Sequence, residues 1–238
     1  MTEFTDQVVV ISGAAGNLGA ELAHQLAKLG AHLGLLDRRP GRLQEVCGNL
    51  ADDPRYLLLG TVDMTRPESV QTAFSQVIDR FGRIDGLVNA LGGYRAGTPL
   101  HETSLDDWNF MFELNVRSTF LACKAAVPHM LQAGRGKIVN VAARPGLHGI
   151  PNAAAYSAAK SAVIRLTESL SAELKHRGIN VNCVLPGTLD TPENREQQPD
   201  ADHAKWVTTS AVTEVILFLV SDQARVVHGA AIPAYGTS

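Results

Sequence analysis

The chain has 238 residues, a hydrophobic share of 45% and a net charge of −3, which fits a globular fold with a full core. Acidic and basic residues are interspersed and no apolar run is long enough to span a bilayer, so we expect neither a nucleic-acid partner nor a membrane partner. Three separated cysteines and an N-terminus without a signal-peptide core favour a cytoplasmic location.

Short aliphatic runs alternate with longer helical patterns along the whole chain. Several runs are apolar at nearly every position, as in parallel strands that are covered by helices on both faces. The alternation predicts one doubly wound α/β domain over residues 1–238, built on a parallel seven-stranded sheet. The predicted strands are Val8–Ile11, His32–Leu36, Tyr56–Leu59, Gly86–Asn89, Lys137–Val141, Ile179–Val184 and Ala230–Pro233. The predicted helices are Leu18–Leu29, Arg42–Asn49, Pro67–Arg80, Leu105–Met130, Ala154–Lys175 and Val212–Val220.

A polar stretch that contains prolines interrupts this pattern at about residues 187–207, after the sixth predicted strand. Loops that follow the carboxyl ends of parallel strands often carry binding residues. We therefore predict that this stretch forms a lid over a small-molecule substrate.

A glycine-rich run, Ser12–Gly19, joins the first predicted strand to the first predicted helix. Its glycines permit a tight turn and let backbone N–H groups approach a pyrophosphate at the helix N-terminus. The position of the run predicts a dinucleotide site, and an ordinary turn without a ligand is the alternative. The predicted contacts are Gly13, Ala15, Gly16, Asn17, Leu18 and Gly19.

Charged residues after the second and third strands bear on the choice of dinucleotide. Asp37 can accept hydrogen bonds from both ribose hydroxyls and repel a 2′-phosphate, which favours NAD(H). Arg38 leaves NADP(H) open, because a guanidinium binds phosphate, whereas Arg39 better fits a solvated turn. Asp63, beside Met64, is expected to accept from the adenine amino group, and a nearby helix N-cap is the competing interpretation.

Tyr156 and Lys160 lie four residues apart in a predicted helix, so they share one face. An ammonium group beside a phenol stabilises the phenolate and lowers the pKa of the phenol. Such a tyrosine can pass a proton near neutral pH while a bound nicotinamide supplies a hydride. The pair therefore predicts acid–base chemistry next to the dinucleotide.

Taken in order, these motifs resemble the short-chain dehydrogenase/reductase family over essentially the full chain. The resemblance implies a Rossmann-type fold, an NAD(P)-dependent oxidoreductase activity and a small-molecule substrate. The matching pieces are Gly13–Gly19, Asp63, Asn89-Ala90-Leu91-Gly92, Asn115, Asn140, Tyr156 with Lys160, Pro186-Gly187 and Thr191.

The resemblance also assigns roles. Tyr156 is the acid–base, Lys160 binds the nicotinamide ribose and lowers the pKa of Tyr156, and Asn115 holds a water that links Lys160 to solvent. Thr191 and the Leu189 backbone hold the carboxamide. The remaining cofactor contacts that it implies are Asn89, Ala90, Leu91, Gly92, Pro186 and Gly187.

The chain departs from the family where a catalytic serine normally stands, thirteen residues before the tyrosine, because that position is Ala143. A methyl group donates no hydrogen bond, and loss of such a donor costs about 2.7–4 kcal/mol of transition-state stabilisation. Three explanations stay open: a reactive substrate that needs no donor, substitution by His148, or a nucleotide-binding sensor or scaffold with little catalysis. An engineered replacement of serine would also leave alanine here. Smaller departures are Asn17 in place of glycine, and Ala90 and Leu91 in place of asparagine and alanine.

One branch of the family, dihydropteridine reductase, also lacks this serine and keeps the tyrosine and the lysine. Segments 92–97 and 185–206 look like that branch. A quinonoid pterin is already primed to accept hydride, so polarisation by a donor matters less. A carbonyl, imine or quinonoid carbon is therefore the expected acceptor.

The expected substrate cleft is lined by loop residues, which we identify as Tyr94, Ala143, His148 and Trp206. No histidine, cysteine or carboxylate spacing suits a metal site, so none is expected. In the family, the helices corresponding to Leu105–Met130 and Ala154–Lys175 and the strand near Ala230 contact other subunits. The resemblance therefore implies a homodimer or a homotetramer.

Overall fold

The computed structural model describes residues 4–237, so residues 1–3 and 238 of the predicted domain lie outside the described part. Apolar residues occupy nearly every position of the first two strands, which is why these strands are buried on both faces. The strands of the main sheet are β1 (Val8–Ser12), β2 (His32–Leu36), β3 (Tyr56–Leu59), β4 (Gly86–Asn89), β5 (Gly136–Val141), β6 (Ile179–Pro186) and β9 (Ala231–Ala234). A second, two-stranded sheet contains β7 (Leu189–Asp190) and β8 (Val207–Thr208).

All seven strands of the main sheet are parallel, in the order β3-β2-β1-β4-β5-β6-β9. The order reverses between β1 and β4, which opens a crevice at the carboxyl ends of these two strands. The loops that follow β1, β4, β5 and β6 meet at this edge. The α/β fold predicted from the sequence is therefore confirmed.

Helices cover both faces of the sheet. The helices are α1 (Asn17–Lys28), α2 (Pro40–Cys47), α3 (Pro67–Phe81), α4 (Leu105–Phe112), α5 (Ser118–Ala133), α6 (Ala154–Leu174), α7 (Pro192–Gln197) and α8 (Thr209–Val220). One buried apolar cluster lies between the sheet and α1, α2 and α8, and another lies between the sheet and α3 and α5.

Two details differ from the predicted elements. The helix predicted over Leu105–Met130 contains a π-helical turn, Glu113–Arg117, between α4 and α5. The polar stretch after β6 is ordered into α7 and the small β7–β8 sheet, neither of which was predicted. These elements were not predicted because the stretch is rich in proline and polar residues, and because a strand of two residues is too short to show an alternating pattern.

Candidate active site

The glycine turn brings the loop after β4 into backbone contact with the loop after β1. Gly13 has a φ of +74°, and a Cβ there would lie 2.7 Å from the Leu91 Cα. A Cβ on Gly19 would overlap the Gly13 carbonyl oxygen. The turn therefore depends on the absence of side chains at both positions.

Helix α1 begins at Asn17, and its N-cap, Gly16, has no side chain that caps the first turn. The first backbone N–H groups of the helix and its positive dipole end thus face the crevice without a competing side-chain acceptor. This arrangement suits an anion such as a pyrophosphate. Ala15 and Leu18, which belong to the predicted contact set, are buried beside the turn.

Asp37 is buried at the end of β2 and already has two sets of partners. Its Oδ2 accepts from the Ala15 N–H at 3.0 Å, and its Oδ1 accepts from the Arg39 N–H and Nε at 3.0 and 3.2 Å. Arg39 is exposed in this turn, as expected, and its guanidinium also pairs with Asp37. Asp37 therefore ties the glycine turn to the end of β2, and Arg38 beside it is exposed.

Asp63 organises the turn that precedes α3. Its Oδ1 accepts from the N–H and the hydroxyl of Thr65 at 2.9 and 2.7 Å. Burial acts to raise the pKa of Asp63, but the bonds from Thr65 and the charges of Arg38 and Arg66 outweigh it and lower that pKa. The carboxylate thus organises this turn, whereas the competing interpretation of a helix N-cap is wrong, because Arg66 is the N-cap of α3 and no side chain caps that helix. Its contact with adenine stays a prediction. Met64 is buried behind it.

A chain of buried hydrogen bonds crosses the sheet below the crevice. The Ser12 hydroxyl donates to Asn89 Oδ1 at 3.2 Å, and Asn89 Nδ2 donates to Asn140 Oδ1 at 2.8 Å. Asn140 Nδ2 then donates to the Thr167 hydroxyl at 2.9 Å. The side chain of Asn89 is therefore engaged in the core, so only its backbone stays a candidate for the predicted cofactor contact. The roles of Ser12 and Thr167 were missed, because nothing local in the sequence marks them.

Asn115 lies within the π-helical turn and fastens the loop after β4. Its Oδ1 accepts from the Gly93 N–H at 3.2 Å, and its Nδ2 donates to the Gly93 carbonyl at 3.1 Å and to the Met111 carbonyl at 3.0 Å. The Asn115 carbonyl accepts from the Thr119 hydroxyl at 2.8 Å. These bonds fix Asn115 in the site, and its predicted role in holding a water stays a prediction.

Lys160 is buried, with 4% of its side chain exposed. Its Nζ donates to the Val141 carbonyl at 2.9 Å and lies 5.9 Å from the centroid of the Tyr156 ring. A Cβ placed on Gly92 would lie 3.0 Å from Asn115 Oδ1 and 3.1 Å from Lys160 Nζ, so both polar atoms border one small space. Burial lowers the pKa of Lys160 to about 8.

The predicted effect of Lys160 on Tyr156 is not what the structure shows. Burial raises the pKa of Tyr156 above its ordinary value of 10.0, and the nearby Tyr94 phenol adds to the rise. The expected lowering by Lys160 is therefore wrong here, because the ammonium is bonded to Val141 and desolvation of the phenolate dominates. Tyr156 is therefore protonated at neutral pH in this structure.

The predicted substrate residues occupy different positions around this pair. Tyr94 packs edge-on against Tyr156, with ring centroids 4.8 Å apart. Ala143 is buried just after β5. His148 is exposed in the following loop, and Trp206 is half-buried in the lid, where it packs on His203. The structure thus brings Tyr94 into direct contact with Tyr156, the predicted acid–base.

Strand β6 leads into the stretch that is predicted to form the lid. Pro186 is buried at the end of β6, and the Gly187 N–H donates to the Ala234 carbonyl at 3.1 Å. The Thr191 hydroxyl caps α7 by accepting from the Asn194 N–H, and the Leu189 carbonyl accepts from Asn194 Nδ2. The predicted carboxamide contacts therefore also hold the lid helix in place.

A cavity of about 350 Å³ runs between α1 and the lid, next to the glycine turn. It is lined by Asn17, Ala20, Glu21, His24, Val46, Asp190, Thr191, Pro192 and Thr209. Within residues 4–237, no three histidine, cysteine, aspartate or glutamate side chains are grouped to hold a metal ion. In the same range, no helix has the length and apolar character needed to cross a bilayer.

Comparison with known proteins agrees with this geometry. Residues 7–202 match the sequence model of the family described as short chain dehydrogenase. The 2-(S)-hydroxypropyl-CoM dehydrogenase 3 of Xanthobacter autotrophicus is 31% identical, over 97% of this chain and 96% of its own length. The chain therefore belongs to the short-chain dehydrogenase/reductase family.

Two solved structures show which cofactors similar folds bind. Carveol dehydrogenase from Mycobacterium avium, in complex with NAD, superimposes with a TM-score of 0.91 at 29% identity, covering 100% of this chain and 99% of its own. ElxO with NADP bound gives a TM-score of 0.89 at 26% identity, covering 99% and 98%. The protein is an NAD(P)-dependent oxidoreductase. The local likeness to dihydropteridine reductase stays a prediction.

Proposed function

We propose that this protein transfers a hydride between NAD(H) and a carbonyl, imine or quinonoid carbon of a small molecule, with Tyr156 as proton donor. One observation carries the proposal. The Leu91 backbone packs against Gly13 in the glycine turn. The next residue, Gly92, lies beside Lys160 Nζ. The nucleotide turn and the acid–base pair are therefore separated by little more than one residue of backbone.

The residues present suit a nicotinamide dinucleotide. The turn at Gly13 and Gly19 leaves no room for side chains, and the first turn of α1 has no side-chain cap to compete with a phosphate. When bound, the reduced nicotinamide supplies a hydride. The ammonium group of Lys160 would bind the ribose hydroxyls, and Asn115 fixes the loop that faces them.

Tyr156 supplies the matching proton to the substrate heteroatom. Its raised pKa keeps the hydroxyl protonated at neutral pH, so it is ready to donate as negative charge develops on that atom. Thr191 and the Leu189 backbone are proposed to orient the carboxamide.

NAD(H) is the proposed cofactor, with NADP(H) as the alternative. The buried carboxylate of Asp37 places negative charge at the end of β2, where it opposes a 2′-phosphate. Its bond to Arg39 offsets part of that charge, and Arg38 is exposed nearby. A ratio of kcat/KM for NADH over NADPH above about 10 would support NADH, since tenfold corresponds to about 1.4 kcal/mol.

We also propose one catalytic domain with its substrate lid at residues 187–207, working as a homodimer or homotetramer in the cytoplasm. Free, buried thiols at all three cysteines suit a reducing compartment. Large apolar side chains are exposed on the α4–α5 segment, on α8 and in the loop before β9, as expected of faces that other subunits cover. They are Leu105, Trp108, Phe110, Phe120, Phe218 and Val226. A monomer by light scattering at micromolar concentration would contradict the oligomer.

The test of the reaction is a panel of acceptors offered with NADH: cyclohexanone, acetophenone, a 2-oxo acid and quinonoid dihydropterin. We expect oxidation of NADH with at least one of them and its loss in Tyr156→Phe, which keeps the ring and removes the proton donor. Equal activity in Tyr156→Phe would overturn the assigned mechanism. Tight binding of NADH with no turnover across the panel would favour a sensor or scaffold instead.

A further inference from the structure

A second phenol lies against the proposed proton donor. The rings of Tyr94 and Tyr156 meet at 88°, with centroids 4.8 Å apart. At position 143, where a serine would assist Tyr156, the Ala143 methyl group offers no hydrogen bond. The site therefore lacks a hydroxyl group at residue 143, and Tyr94 places another hydroxyl group beside Tyr156.

Tyr94 is held in place although 62% of it is exposed. On one side, Gly93 is bonded through both its N–H and its carbonyl to the Asn115 amide. On the other side, the Gly97 N–H donates to the Asn152 carbonyl at 2.8 Å. Both ends of the short loop are thus fixed, so the position of Tyr94 does not depend on burial of its own ring.

The next residue adds a third anchor. Arg95 Nη1 donates to Asp107 Oδ1 at 2.6 Å, and its guanidinium lies 4.0 Å from the centroid of the Phe110 ring. Asp107 and Phe110 both belong to α4. The loop is therefore fastened to a helix as well as to Asn115, and an aromatic side chain held in this way is preorganised for a ligand.

The Tyr94 hydroxyl is free to act on a substrate. Within residues 4–237 it forms no hydrogen bond with the protein, and most of the side chain is exposed. The alternative candidate, His148, is also exposed but has no ring contact with Tyr156 in the described residues. Of the two, the geometry therefore favours Tyr94.

We infer that the Tyr94 hydroxyl donates a hydrogen bond to the substrate heteroatom that Tyr156 protonates, and so replaces the donor that is missing at Ala143. This inference rests on the proposed function. In the reaction, the acceptor carbon gains a hydride from the nicotinamide, which is oxidised, and the heteroatom gains the proton of Tyr156. Tyr94 keeps its own proton and stabilises the charge that develops on that heteroatom.

The test compares Tyr94→Phe with the double variant Tyr94→Phe/Ala143→Ser, using NADH and the acceptor of the panel that wild type reduces fastest. We expect kcat to fall about 10- to 100-fold in the single variant, the range for a hydrogen bond to a charged group, with a smaller change in KM because the bond strengthens only as charge develops. The serine at 143 should recover most of the loss, because it restores a hydrogen-bond donor at the family position. Tyr56→Phe, in β3, is the matched control and should retain wild-type kcat.

Two further readouts separate the possible failures. Thermal unfolding and NADH affinity, followed by fluorescence, should be unchanged in Tyr94→Phe, which excludes a structural cause. A kcat within twofold of wild type, or a loss that Ala143→Ser does not repair, would overturn the inference. If Tyr156→Phe is inactive while Tyr94→Phe is fully active, only this inference fails. If Tyr156→Phe retains activity, the proposed function fails as well.

Discussion

Asn17 Nδ2, at the start of α1, donates a hydrogen bond of 2.8 Å to Glu193 Oε2 in the first turn of α7. Hydrogen bonds from its own backbone N–H, and next from Asn17, lower the pKa of Glu193, so the carboxylate is ionised at neutral pH. The residue that departs from the family glycine therefore links α7, within the predicted lid, to the glycine turn. Any movement of α7 away from α1 has to break this bond.

Breaking this contact should speed the release of cofactor. We expect Asn17→Ala and Glu193→Ala each to increase the dissociation rate of NADH about 2- to 5-fold, as for loss of one exposed hydrogen bond. The double variant should be no faster than either single one, because both changes remove the same bond. Stopped-flow displacement of NADH measures the rates. Glu196→Ala, an exposed carboxylate on the same helix, controls for charge, and fully additive effects would contradict the latch.

The glycine turn makes a second prediction. A Cβ on Gly19 would overlap the Gly13 carbonyl and lie 2.9 Å from Ala14 Cα, and backbone cannot move aside cheaply. Gly19→Ala should therefore lower the free energy of unfolding by about 1–3 kcal/mol and weaken NADH binding. Urea denaturation and NADH fluorescence measure the two effects. Gly41→Ala, where a Cβ meets nothing within 4 Å, should stay within about 0.5 kcal/mol of wild type. Equal behaviour of the two variants would contradict the role given to the turn.

The sequence predicts the parts of this molecule that local patterns encode. Apolar runs mark the seven strands, and their alternation with helical patterns gives the parallel order that places the site. The spacing of Tyr156 and Lys160 places both on α6. The sequence does not give the direction in which the pKa of Tyr156 shifts. That shift depends on how much water the packed loops exclude and on the phenol of Tyr94. Neither quantity can be read from a spacing of four.

The same reason explains the hydrogen-bonded chain below the crevice. Ser12 and Asn89 are 77 residues apart, and Asn89 and Asn140 are 51 apart. Only the registers of β1 with β4 and of β4 with β5 make them neighbours. The π-helical turn at Asn115 was equally hidden, because inserting one residue into a helix leaves the apolar pattern nearly intact. Long-range register and small helix defects are thus the features that sequence periodicity does not resolve.

The buried Lys160 predicts a specific dependence of stability on pH. Burial lowers its pKa from 10.5 to about 8 in the folded protein. Below that value both states bind the proton, whereas between about pH 8 and 10.5 only the unfolded chain does, so the free energy of unfolding rises with pH in this window.

Relative to Lys160→Met, the free energy of unfolding of wild type should increase by about 1 kcal/mol per pH unit above pH 8 and should not change below it. Urea denaturation from about pH 7 to 9.5 measures the difference. Raised thiol pKa values at Cys47, Cys123 and Cys183 act in the opposite direction, but both proteins contain these thiols. A flat or falling difference would contradict a charged, desolvated lysine at this position.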